Sequence, residues 1–364
     1  SQYTLSLHDA LPIWRRKWRH LDTCQLRTIL IADVPRINCS EHGVRQIDVP
    51  WAEENSRFTA LFESLVIDWL HEASIQAVAQ RLRVSWSAVD GIMQRAVARG
   101  LIRRDPISTG ILAVDEKAYK KRHKYLTVVS DGARVLHVAD KRREDSLAEF
   151  FRTLESDQKQ RIRWVSMDMW APYIRATTEH LPHGANKIAF DRFHVAKQFN
   201  DAVDFVRRKE HKALIREGDS SLKGTKYYWL RSGGPSRGSN QRHFDQLRKQ
   251  ELRTARAWAI KETASALWGY SNRDKAREDW ERLLSWMGRS RLQPMVKLSR
   301  TLRNHLTGIL NAVIARANNS LAENINNRIQ KIKVRANGFR NRQRMVNAIY
   351  FHLGGLSLYP SKAI

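Results

Sequence analysis

Three short apolar runs in quick succession, then helix, strand, helix and strand, confine the middle of this chain to one kind of architecture. The runs are Ile111–Val114, Tyr125–Val129 and Val135–Val138, and the last two are joined by the hairpin-turn sequence Ser130-Asp131-Gly132. An amphipathic helix is expected over Arg142–Ser156, a strand over Arg161–Met167 and a helix over Pro172–His180. A strand over Lys187–Phe190 and a long helix over Val195–Lys212 follow. Such short runs bury their faces only by pairing into a sheet that the helices then cover. The pattern predicts a mixed α/β sheet, in which the first, fourth and fifth strands stop at acids: Asp115, Asp168 and Asp191.

In sheets covered by helices, sites collect beyond the carboxyl ends of the strands. Asp115 and Asp168 both stand there. With a third carboxylate from a helix they make an all-oxygen cage, which suits a hard cation such as Mg2+ or Mn2+. Two such ions about 3.5–4 Å apart stabilise both the entering and the leaving oxygen of an in-line attack on a phosphodiester. Glu116 follows Asp115, but strand neighbours face opposite ways, so Glu116 is read as structural.

The charge points to the same class of partner. Lys and Arg total 64 against 37 acids, a net charge of +27, and the basic residues are spread along the chain. Counterion release from phosphate drives such a surface toward a polyanion. An apolar run of about 18 residues, which a membrane span needs, is missing. Two cysteines, Cys24 and Cys39, argue against a disulfide scaffold and for a reducing cytoplasm. Cys39-x-x-His42 has the spacing of half a Zn2+ site, with Cys24 as a remote third candidate. The first thirteen residues, SQYTLSLHDALPI, have one acid and no Lys or Arg, and are expected to be a non-native scar.

Two further segments carry signals. Ser74–Ala98 reads as two short helices with a tight turn, the first striped by Ile75, Val78, Ala79 and Leu82, the second by Val89, Ile92, Met93 and Ala96. Ser85 can cap the second helix. As a helix-turn-helix this pair would turn Ser85, Ser87, Ala88 and Gln94 toward a DNA groove; as a plain helical hairpin it would be structural. Residues 213 to 305 read as helical, basic and Trp-bearing, with a loop at Arg231–Gln241; Trp258 and Trp268 are expected in the core. Near the C-terminus, Ser320–Arg344 has seven basic residues and a single acid, Glu323. Ser320-x-x-Glu323 has the form of a capping box, and a first-turn Glu also faces the positive end of the helix dipole. From these residues alone, Glu323 is either a cap or a third ligand.

The stretches WRHLDTC, PRINCSEHG, ILAVDEKAYKKRHKY, WVSMDMWAPY, DRFHVAKQFNDAVDFVRR and SLAENINNRIQKIKVRANGFRNRQR resemble the DDE transposases of bacterial insertion sequences, in the ISL-three family. The resemblance runs from Trp14 to Tyr359. It implies a ribonuclease H-like catalytic core interrupted by a helical insertion. Asp115, Asp168 and Glu323 fall on the family's catalytic triad and metal ligands. Asp191 and His194 match a recurrent motif near the site, in an auxiliary role. The basic face of the last catalytic helix, with Arg328, Lys331 and Arg335, would lie along the DNA backbone. The family's upstream CxxC pair is missing, so Cys39 and His42 match only half of its zinc finger. The expected layout is a scar over 1–13 and a partial zinc finger over 14–52. A helix-turn-helix over 53–106, a core over 107–212, an insertion over 213–310 and the last catalytic helix with its followers over 311–364 complete it. The implied function is cleavage at terminal inverted repeats and joining of the freed 3′-hydroxyl to target DNA, by a homo-oligomer. A non-catalytic DNA-binding regulator and a nuclease of the same fold remain as alternatives.

Overall fold

The computed structural model describes residues 11–39, 43–120, 124–140, 143–315 and 320–362. The chain divides into two compact units, residues 1–106 with 327–364, and residues 107–326.

The first unit begins with an antiparallel sheet in the order β1 (Leu11–Arg19), β2 (Ile29–Cys39) and β3 (Gly43–Gln46). Its small core holds Trp18, Val34 and Ala52, and the Trp51 ring meets Trp18 edge-on at 5.5 Å. At the β1–β2 turn, Thr23 and Leu26 exchange backbone hydrogen bonds, and Cys24 and Gln25 have φ of 49° and 65°. Two successive left-handed residues are what a type I′ hairpin turn needs.

Three helices follow, α1 (Ala60–Glu72), α2 (Ile75–Leu82) and α3 (Trp86–Ile102). The Ser74 hydroxyl accepts from the Ala77 N–H and caps α2; the Ser85 hydroxyl accepts from the Ala88 N–H and caps α3. Arg83 makes the turn in the left-handed region. Val78, Leu82, Val89, Ile92 and Met93 bury the apolar stripes that the spacing predicts. Arg99 is buried in α3; its guanidinium donates to Glu53 at 2.5 Å and to the Leu358 carbonyl at 2.8 and 3.0 Å.

The second unit is built on β4 (Ile111–Lys120), β5 (Lys124–Ser130) and β6 (Val135–Asp140), then α4 (Glu144–Arg152), α5 (Ser156–Arg161) and β7 (Trp164–Met167). The series goes on through α6 (Ala171–His180), α7 (Gly184–Lys187), β8 (Ile188–Phe190) and α8 (Arg192–Arg216). The sheet order is β6-β5-β4-β7-β8, with β4, β7 and β8 parallel and β5 and β6 antiparallel to their neighbours. Two expectations need correcting. The helix expected over Arg142–Ser156 stops at Arg152, because Thr153 and Leu154 turn back on Phe150 and Phe151; a capping box at Glu155 and Gln158 then opens α5, which takes in Arg161, the expected start of the next strand. The first strand does not stop at Val114: it runs to Lys120, held by β5 as far as Lys120↔Lys124. Its polar second half hides that continuation.

The rest of the unit is helical: α9 (Lys226–Leu230), α10 (Gly238–Lys249), α11 (Arg253–Ala266), α12 (Arg273–Arg289), α13 (Gln293–Asn304) and α14 (Leu306–Ala315). Trp229, Phe244 and Trp258 stack edge-on, and Trp268 meets Trp280 at 5.8 Å, so these rings are packing groups. The Lys261 ammonium is buried and caps the end of α9, donating to the carbonyls of Trp229, Leu230 and Arg231 at 3.0–3.2 Å. Helix α14 lies on β8, and Gly308 permits the approach: a Cβ there would stand 2.4 Å from the Phe190 ring.

Helix α15 (Ser320–Arg335) starts in the second unit and ends in the first, where α16 (Arg342–Leu353) follows. Helix α16 packs against α3; Arg344 donates to Asp90 at 3.1 Å and covers the Trp86 ring at 4.4 Å. Among the described residues no helix is long and apolar enough to cross a membrane.

Candidate functional site

Strand register assembles the site. Strands β4 and β7 pair as Ile111↔Trp164, Leu112↔Val165 and Ala113↔Ser166; β7 and β8 pair as Val165↔Ile188, Ser166↔Ala189 and Met167↔Phe190. Carrying both registers forward by equal steps sets Asp115, Asp168 and Asp191 abreast. Parallel strands lie about 4.8 Å apart, and residues abreast face the same side. Asp115 is therefore not at a strand end, as the sequence predicts, but within β4 opposite Val128 of β5. The β7 strand stops first, at Met167, and leaves that edge of β4 open beside Asp115.

Asp191 is the N-cap of α8 and is buried; its Oδ1 accepts from the Phe193 N–H at 2.8 Å. The Nδ1 of His194, in the first turn of α8, lies 2.6 Å from Oδ2 of Asp191 and 2.5 Å from Oδ1 of Asp168. One N–H is thus shared between two carboxylates. Burial pulls the His194 pKa down, but the hydrogen bonds and charges of Asp168 and Asp191 outweigh it and raise it to about 10. The ligand atoms of Asp168, Asp191 and His194 all lie within 4.8 Å of one another.

The Asp115 carboxylate is gripped from two sides. Its Oδ1 accepts from the Glu116 N–H at 2.6 Å, and its Oδ2 accepts from the Asn326 side-chain amide on α15. Its pKa is raised, first by burial and then by the charge of Asp168, against those two hydrogen bonds. Half-buried acids that repel one another make a place that a divalent cation relieves. The oxygen donors fit a hard ion.

Glu323 is on the first turn of α15; its side chain lies outside the described residues. Ile325 and Ile329 are buried and fix which way the helix faces. Farther along, in the first unit, Lys331 and Arg335 are exposed and Arg328 is half-buried; Arg335 donates to the His71 carbonyl at 2.8 Å. On the helix-turn-helix, Ser85, Ser87 and Gln94 are exposed and Ala88 is half-exposed. Gln94 also donates to Asp90 at 2.9 Å.

The zinc-like segment behaves differently. Cys39 is the last residue of β2, and His42 lies outside the described residues. Cys24 is exposed on the turn beyond the opposite end of that strand. At about 3.3 Å per residue the strand holds the two cysteines roughly 30 Å apart, so Cys24 is no partner for Cys39. The residue that sequence reasoning passed over is Asn326. Its only signal was its place three residues after Glu323, on the same side of one helix.

Comparisons with known proteins agree along the chain. A family model described as a transposase matches residues 112–349. A helix-turn-helix domain of transposase family ISL3 matches residues 47–97, and a zinc-finger of the transposases of IS204, IS1001, IS1096 and IS1165 matches residues 14–42. A transposase for insertion sequence element IS1557 of Mycobacterium tuberculosis is 27% identical over 367 aligned positions, covering 93% of this chain and 82% of the relative. A transposase for IS1001 of Bordetella parapertussis is 26% identical over 354, covering 96% of this chain and 85% of the relative.

Proposed function

This chain belongs to the ISL3 family of insertion-sequence transposases, and on that premise we propose how its residues divide the work. Asp115 and Asp168 present oxygens to a divalent cation, Mg2+ or Mn2+, with Glu323 as the third ligand. The observation that carries this reading is the register that sets Asp115 and Asp168 abreast where β7 ends. A pair of such cations supplies charge neutralisation at the entering and leaving oxygens of an in-line displacement. The strand order β6-β5-β4-β7-β8, with α4 and α6 between the strands, supports a ribonuclease H-like core.

The protein's own groups do the rest. His194 holds Asp168 in one orientation, and Asp191 shares the same Nδ1 hydrogen, so His194 and the buried Asp191 brace Asp168 as outer partners brace metal ligands. The exposed face of α3, with Ser85, Ser87, Ala88 and Gln94, reads the terminal inverted repeats in the major groove. Arg328, Lys331 and Arg335 follow the phosphate backbone. At each element end, water displaces the 3′-oxygen from phosphorus and leaves a 3′-hydroxyl and a 5′-phosphate. That hydroxyl then attacks a phosphodiester of target DNA, and the displaced target oxygen leaves as a new 3′-hydroxyl. Two ends must be joined together, so the working form is a homo-oligomer on DNA in the bacterial cytoplasm.

Mg2+-dependent cleavage and joining of a labelled terminal-repeat duplex tests this, comparing wild type with Glu323→Gln. Glutamine keeps the size and much of the capping ability and removes the charge. Loss of both steps with DNA binding retained is expected; equal activity in the two proteins would reduce Glu323 to a helix cap.

A further inference from the structure

The hydrogen bond between Asn326 and Asp115 joins the helix that carries Glu323 to the strand that carries Asp115. A second contact lies beside it: the Lys117 ammonium donates to the backbone carbonyl of Asn326 at 3.2 Å. Lys117 is two residues beyond Asp115 and so faces the same side of β4. One residue of α15 is thus held twice by one strand, through its amide and through its carbonyl. Ile325 beside it is buried.

The residue type fits the task. A carboxylate has only acceptors, and Oδ1 of Asp115 is already taken by the Glu116 N–H. Oδ2 accepts from the Asn326 amide, a donor that brings no charge and leaves the anion free to hold a cation. An acid at 326 would repel Asp115, and an apolar side chain would leave a half-buried carboxylate oxygen without its partner. Glu323 lies three residues earlier, so whatever fixes Asn326 against Asp115 also fixes where the backbone of Glu323 stands along β4.

We propose that Asn326 is a positioning residue of the transposase: its amide orients the carboxylate of Asp115 and sets the last catalytic helix in register with it, and so tunes the affinity of the site for its divalent metal. This rests on the assignment of Asp115 and Asp168 as ligands. Removing an outer partner of this kind weakens metal binding by about 10–100-fold.

The test uses the full chain and two readouts. Fe2+ with ascorbate and peroxide cuts the backbone where the ion binds, and competition by Mg2+ gives an affinity without any DNA chemistry. The Mg2+ concentration for half-maximal cleavage of the terminal-repeat duplex is the second. Wild type, Asn326→Ala, Asn326→Gln and Asn324→Ala, an exposed neighbour on the same turn, are compared, with melting temperature for each. In Asn326→Ala, half-saturation by Mg2+ rises about 10–100-fold in both readouts. Asn326→Gln recovers part of the affinity because it keeps a donor, and it serves alone should the alanine variant not fold. Asn324→Ala matches wild type. A lowered melting temperature with unchanged half-saturation in the position-326 variants makes the contact a mere helix dock and overturns the proposal. Absence of Fe2+ cuts near Asp115 and Asp168 in wild type itself sinks the ligand assignment, and this inference with it.

Discussion

In two places the sequence sets side chains of metal-ligating type on or beside strands, and the two sheets treat them oppositely. In the five-stranded sheet, parallel register carries Asp115, Asp168 and Asp191 to one level, and helix α8 adds His194 to the row. In the three-stranded sheet, the antiparallel hairpin sends Cys24 to one end of β2 and keeps Cys39 at the other. The ligand types are present in both. Register, not composition, decides which of them meet.

Breaking the row in the larger sheet has the largest effect. Asp168→Asn is expected to lower the rate of terminal-repeat cleavage by ~10³-fold or more, since a metal-held centre contributes several kcal/mol to the transition state. DNA binding, measured by gel shift, should be unchanged; a loss under tenfold would mean that chemistry happens elsewhere. His194→Ala leaves the ligands in place but frees Asp168. Its cleavage rate should fall about 10–100-fold, with a higher Mg2+ requirement.

A third prediction concerns the first unit alone. His352, in α16, has its pKa lowered to about 4, first by burial and then by Arg335, His71 and Arg328. The folded unit holds this ring neutral, whereas the unfolded chain protonates it near pH 6.5. Its contribution is therefore fully present above about pH 6.5 and is lost as pH falls toward 4, by at most about 1.4 kcal/mol per pH unit. Urea titrations across that window should show the slope in wild type and a flatter one in His352→Gln. The smallest effect is expected at Cys39, in the segment matched by the zinc-finger model. Cys39→Ser should change stability by less than about 0.5 kcal/mol if Cys39 and His42 hold no Zn2+, and elemental analysis of wild type against the variant reads whether they do.

The order of strands and helices in the second unit is written in local apolar periodicity, and the sequence reads it well. So is the Ser85 cap, because a hydroxyl just before an apolar stripe has few other uses. Asp115 and Asp168 are legible as acids that follow apolar runs. Their alignment is not, because register depends on which strands pair, and pairing is a long-range property. The continuation of β4 past Asp115 was hidden by charged residues that only the β5 partner makes strand-like. Asn326 escaped notice for a related reason: an asparagine on a helix announces nothing until the carboxylate opposite it is known.

The carbonyl of Leu358, near the end of the chain, receives the buried guanidinium of Arg99, and α16 lies against α3. Synthesis proceeds from the N-terminus, and domains fold as their segments emerge. The helix-turn-helix is thus translated well before α16 and Leu358, the segments that complete its packing. A chain cut before Leu358 leaves Arg99 without its acceptor, and one cut before α16 leaves α3 without its cover, so the helix-turn-helix unit matures only after those segments are made.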